Sequence, residues 1–205
     1  RWPDKKTRDA RLLECVAVIR ALLAGAEVTH RGLVTVDRAR LWSLPEEPPR
    51  LFGAAVSEAT ARTVGSWADG LITINQPSDQ LRRVLDAFRE GGGEGKPAFL
   101  QVHLSWAESE GEALAIAHDQ WRSNVFSSDL AWNLEFPEQF DAAAAHVRPE
   151  DVRPAVLISA DTARHAADLR ALADLGFDGL YLHHVGQEQD RFIDTFAAKV
   201  LADLR

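Results

Sequence analysis

The stretch Leu51-Phe-Gly-Ala-Ala-Val-Ser-Glu-Ala-Thr60 holds the residues best spaced for chemistry. An apolar run of strand length stops at Ser57, a good helix N-cap, and amphipathic helix follows to about Ala68. Such a junction aims backbone N–H groups and a partial positive charge at whatever lies beyond the strand's carboxyl end, which suits a phosphate. Val56, Ser57, Glu58, Ala59 and Thr60 would form that cradle, with the Ser57 and Thr60 hydroxyls one turn apart and able to donate to the same anion. The plainer reading is that Ser57 caps the helix and nothing more.

Histidines are the next candidates. His183 and His184 fall where the last strand ends. Neighbours on a strand point to opposite sides, so the two cannot chelate one metal together. One of them, with His184 the weak catalytic candidate, could face a pocket as general acid, base or substrate donor; a locally bonded rim histidine is the alternative. His103 lies inside another strand, shares a face with Gln101, and is flanked by Val102 and Leu104 of the apolar face. It either touches a ligand or is a satisfied core polar group. Trp106, just past that strand, either stacks on a ring system or simply packs. The seven histidines show neither His-x-x-x-His nor a cysteine-containing ligand spacing, so no metal site is expected.

The elements that position these residues follow from periodicity. A helix is expected from about Lys6 to Leu23, with Leu12, Val16, Ile19 and Leu23 at helical spacing; Trp2-Pro3 before it reads as the tail of a connection. Residues 28–42 read as a hairpin excursion, and Pro45, Pro48 and Pro49 carry the chain into a strand at Arg50–Val56. Further strands are expected at Leu71–Ile74, from Pro97 to about Leu104, and at Gly179–Leu182. Helices follow them, including one from Ser109 to Trp121. Residues 125–150 form an aromatic-rich insertion (Phe126, Trp132, Phe136, Phe140) able to roof a site. Ser127, Ser128 and Asp129 read as a solvated turn, and the short run Val156–Ser159 belongs to the excursion.

Alternating strands and helices imply an α/β fold with parallel strands and right-handed crossovers. An open doubly wound sheet and part of a (β/α)8 TIM barrel both satisfy that order. No Gly-x-Gly-x-x-Gly follows a strand, and four principal strands are about half of a barrel's eight, so half a barrel is the better fit. The whole of residues 1–205 is read as one such half-barrel domain.

Composition narrows the function classes. The chain of 205 residues is 46% hydrophobic and 26% charged with net charge −8, which argues against a nucleic-acid binder. No apolar run reaches the ~20 residues of a membrane span. The opening residues resemble no signal peptide, and the lone Cys15 excludes an internal disulfide framework and fits a reducing cytoplasm. Cys15 shares a helical face with Leu12, Ile19 and Leu22, which predicts a buried, inert thiol. The absence of any methionine suggests part of a longer product.

Several motifs carry a resemblance. Arg1-Trp-Pro, then Arg11 through Leu23, then Leu51–Thr60 and Gly65-Ser-Trp-Ala-Asp-Gly-Leu-Ile72, resemble the bacterial luciferase-like superfamily of FMN-dependent monooxygenases and deazaflavin (F420)-dependent dehydrogenases. Ala39–Pro45, Gly91–Pro97 and Leu100–Trp106 look like its non-F420 flavin oxidoreductase branch. The resemblance implies the second half of a (β/α)8 barrel, with the usual catalytic residues expected in the absent first half. It places a cofactor phosphate at Ser57 and Thr60. F420 enzymes typically carry Gly-Gly there, and Glu58 would repel a phosphate unless it turned away, so FMN is the expected cofactor and F420 the alternative. Reduced flavin would then pass hydride to a small organic substrate or react with oxygen, with NAD(P)H or a flavin reductase supplying electrons. A non-catalytic flavin-binding subunit is the other reading. The two open sheet edges imply pairing with the missing half or with a second copy.

Overall fold

The computed structural model describes residues 3–204; the expectation for Trp2 lies outside them. Helix α1 (Lys5–Leu23) begins at Asp4, whose carboxylate accepts from the Thr7 amide at 2.8 Å, and ends before Gly25 at φ +82°. An antiparallel hairpin follows, β1 (Val28–Arg31) and β2 (Thr35–Ala39). Then come β3 (Phe52–Ala54), α2 (Glu58–Trp67), β4 (Gly70–Ile74), α3 (Ser78–Phe88) and β5 (Ala98–Ser105). α4 (Glu110–Trp121) follows, and the excursion supplies α5 (Ser128–Asn133), α6 (Pro137–Ala144) and the two-residue β6 (Leu157–Ile158). α7 (Thr162–Ala173), β7 (Gly179–His184) and α8 (Asp190–Lys199) complete the order.

β3, β4, β5 and β7 are parallel and neighbour one another in that sequence. β6 does not separate β5 from β7. It pairs with the last residues of β5 (Leu104 with Leu157), beyond the point where β4 leaves that edge at Gln101. Strand alternation then sorts the side chains onto two faces. One face carries Leu71, Leu100, Val102 and Leu104, all buried under Val64 of α2, Leu81 and Phe88 of α3, Leu169 of α7 and Phe196 of α8. All four helices lie on this one face, as in the wall of a (β/α)8 barrel; a doubly wound sheet would have them on both.

The other, inner face is arranged in rungs set by the register: Ala54–Ile72–Phe99–Gly179, then Ile74–Gln101–Tyr181, then His103–His183. Phe99 packs against Phe52 and Tyr181, with ring centroids at 5.5 and 5.3 Å.

Three expectations need correction. α4 is not the crossover helix between β5 and β7. Its Ala113 and Ala117 join Val152, Val156, Ile158 and Val185 in a second core on the inner side, while α7 makes the crossover. The Cys15 thiol is half-buried rather than enclosed, and Leu12 and Ile19 beside it are exposed; α1 meets the hairpin and the edge near β3, and its Arg8 lies over the Trp132 ring of α5. Arg20 ties α1 to the end of α2 through the Trp67 carbonyl (2.9 Å) and Asp69 (2.8 Å). Ser127 is also more than a turn residue: it caps α5 by accepting from the Leu130 amide.

Candidate functional site

The first group sits where β3 gives way to α2. Ser57 is extended (φ −135°, ψ 151°) and caps the helix through the Thr60 amide. Its hydroxyl donates to Thr60 Oγ1 at 3.0 Å, so the Thr60 hydroxyl proton remains available to a ligand. The amides of Glu58 and Ala59, in the first helical turn, have no intrahelical acceptor. Val56 and residues 57–59 are exposed, and Thr60 is half-buried. Glu58 does not face this cradle. Its carboxylate turns to the Arg83 guanidinium on α3 at 3.0 Å, where Asp79 is also held at 2.8 Å. The charge objection to a phosphate at this cradle is therefore removed by a side chain from the next helix.

The second group lies on the inner face at the carboxyl ends of β5 and β7. Gln101 Nε2 lies 3.2 Å from His103 Nε2 and 3.3 Å from His183 Nδ1, bridging both imidazoles. The Trp121 ring packs on both, at 4.5 and 5.3 Å. The His103 amide donates to Asn75 Oδ1 at 3.1 Å, and Asn75 Nδ2 donates to the Ala155 carbonyl. Burial, and then the nearby His183, lower the His103 pKa to about 4, so this ring is neutral near pH 7.

Gln101 and His103 thus share the face that alternation assigned them. Of the adjacent pair, it is His183 that joins them. His184, the residue singled out as catalytic candidate, points to the helix layer: it is buried and stacks on Phe192 of α8 at 4.6 Å. Burial depresses its pKa and that of His165, whose Nε2–H donates to the Ser159 carbonyl at 3.0 Å. Trp106 is likewise a packing residue. Its indole N–H donates to the Ala160 carbonyl at 3.1 Å and its ring meets Phe196 edge-on. Both face the helices because the β5 and β7 ends fix their side. No group of three or more metal-ligating side chains is assembled among the described residues.

Trp121 and Asn75 were not singled out from sequence. Trp121 looked like an ordinary helix end, and its role depends on α4 folding back over the inner face. Asn75 offered one signal, an amide side chain immediately after a strand.

The family model for luciferase-like monooxygenases matches residues 3–179, and the chain belongs to that family. The chain is 28% identical, over its full length, to the F420-dependent glucose-6-phosphate dehydrogenase of Intrasporangium calvum, of which it covers 64%. It is 27% identical to the enzyme of the same name from Nakamurella multipartita, of which it covers 62%. Among solved structures, an F420-dependent secondary alcohol dehydrogenase in complex with an F420-acetone adduct superposes with a TM-score of 0.88 at 19% identity, over all of this chain and 64% of that one. The coenzyme F420-dependent tetrahydromethanopterin reductase from Methanopyrus kandleri gives 0.75 at 16% identity, over 96% of this chain and 64% of that one. These likenesses establish a luciferase-like barrel fold, of which the chain is a partial span. The chain is thus under two thirds of the length of the curated relatives it matches.

Proposed function

We propose that this chain is part of an F420-dependent oxidoreductase that moves hydride between the deazaflavin and a small oxygen-bearing organic substrate. The observation that carries this reading is the open α2 N-terminus, where the Glu58–Arg83 pair keeps the carboxylate away from a phosphate of either cofactor. The names of the curated relatives favour F420 over FMN as the phosphate's bearer. The amides of Glu58 and Ala59 and the Thr60 hydroxyl would hold the cofactor phosphate, with the Ser57 hydroxyl turning its proton from Thr60 to the anion on binding. When bound, the deazaflavin supplies the hydride chemistry, and the protein supplies binding, orientation and exclusion of water.

The inner face of β4, β5 and β7 would lie along the ring system, with the α4 excursion as its roof. Each outer sheet edge is flanked by an apolar groove. One, of about 290 Å³, is lined by Leu12, Leu13, Phe52, Val64 and Trp67 beside β3. The other, of about 400 Å³, is lined by Leu169, Phe177, Leu180 and Leu182 beside β7. Further barrel strands, or a second copy, would cover them.

Fluorescence titration with F420 and with FMN tests the reading. F420 binding in preference to FMN is expected, and Ser57→Ala should weaken it by about 1–3 kcal/mol, the range for a hydrogen bond to a charged group. Equal F420 affinity in that variant would remove Ser57 from the site.

A further inference from the structure

The Gln101 bridge constrains more than position. A side-chain amide nitrogen is only a donor, and a neutral imidazole has one donor and one acceptor nitrogen. For Gln101 Nε2 to satisfy both contacts, His103 Nε2 and His183 Nδ1 must both be unprotonated. The ring protons are then on His103 Nδ1 and His183 Nε2. His103 is enclosed, at 6% exposure, and packed between Trp121 and His183. His183 is half-buried, and among the described residues its Nε2 has no partner. Two neutral rings are required at once, because protonating either would set an N–H against the amide hydrogens. The lowered pKa of His103 meets that requirement on its side of the bridge.

We propose that Gln101 is a positioning residue that fixes both tautomers, and that His183 thereby presents an Nε2–H donor to an acceptor oxygen of the bound ligand. That oxygen is a carbonyl, hydroxyl or phosphoryl group, belonging either to the cofactor or to the substrate. The inference rests on the F420 reading for the identity of the ligand, but the tautomers follow from the bridge alone.

The test is two-dimensional ¹H–¹⁵N spectroscopy of the histidine rings in the full chain, at pH 8, with assignment by His103→Gln and His183→Gln. The spectrum of the unaltered protein should show His103 protonated at Nδ1 and His183 at Nε2. Gln101→Glu replaces the donor by an acceptor-only group and should bring protons to His103 Nε2 and His183 Nδ1; Gln101→Leu should leave both rings exchanging between tautomers. Reversed tautomers in the unaltered protein, or tautomers indifferent to both substitutions, overturn the proposal. F420 is then added alone, followed by glucose 6-phosphate as an oxygen-rich probe. A shift of the His183 Nε2–H signal on the first addition identifies a cofactor oxygen as the acceptor, and a shift only on the second identifies the substrate's. F420 uptake that shifts His183 at neither addition overturns the ligand role. Failure of the unaltered protein to take up F420 at all overturns the functional reading and this ligand role with it, while the tautomer result stands separately.

Discussion

At the scale of single residues, the direction of one carboxylate decides the electrostatics of the cradle. Arg83 holds Glu58 away, so Arg83→Leu should release a negative charge near the phosphate position and lower F420 affinity by about 3- to 10-fold at low salt, with the loss shrinking as salt rises. Unchanged affinity would mean that Glu58 stays turned away without its partner. Histidines set the acid limb of stability. His103, His165 and His184 all have pKa values depressed by burial below the ordinary 6.5. The unfolded chain therefore binds more protons than the native one as pH falls below 6.5, so stability is fully present above that value and declines beneath it; the His103 contribution levels off near pH 4. Urea midpoints measured at pH 7.5 and 5 should fall together with pH, and His184→Gln should flatten the slope. The shared face of Gln101 and His103 was legible from strand alternation. The turn of Glu58 was not, since its partner comes from another helix, and neither was the choice between His183 and His184, which needed the register with β5.

At the scale of elements, helix–sheet packing depends on close backbone approach. Gly65 of α2 lies against the backbone of Phe88 and Gly91, where an added Cβ would overlap the Phe88 carbonyl. Gly65→Ala should therefore destabilise by about 1–3 kcal/mol, as overpacking does. Leu100→Ala, in the fully buried centre of β5, should cost about 2–5 kcal/mol. Thermal unfolding of both variants checks the two values. The strands and outer helices were readable because each has its own apolar period. α4 was misplaced for the same reason: the strand–helix rhythm assigns the next helix to the outer layer, and only long-range contacts put it inside. Ser105 donates to the Ala113 carbonyl at 2.8 Å, and Glu110 accepts from Ser159 Oγ at 2.6 Å and from the Ala160 amide at 2.8 Å. These bonds join α4 to β5 and to the start of α7. Local sequence carries no trace of them.

At the scale of the whole molecule, a barrel wall with two sheet edges and an open inner face needs covering. Leu12, Leu13 and Ile19 of α1 and Tyr181 of β7 are all exposed. Light scattering of the purified chain should therefore show association with a second copy or a companion segment rather than a monodisperse monomer. The half-barrel and its helix layer were legible in the alternation of elements, while the openness of the phosphate cradle was not, because it turned on one tertiary ion pair. F420 titration monitored by fluorescence, with FMN as competitor, tests the central claim most directly. Saturable F420 binding that excess FMN does not displace, weakened in Ser57→Ala, is the predicted result. FMN binding in preference to F420 would contradict it.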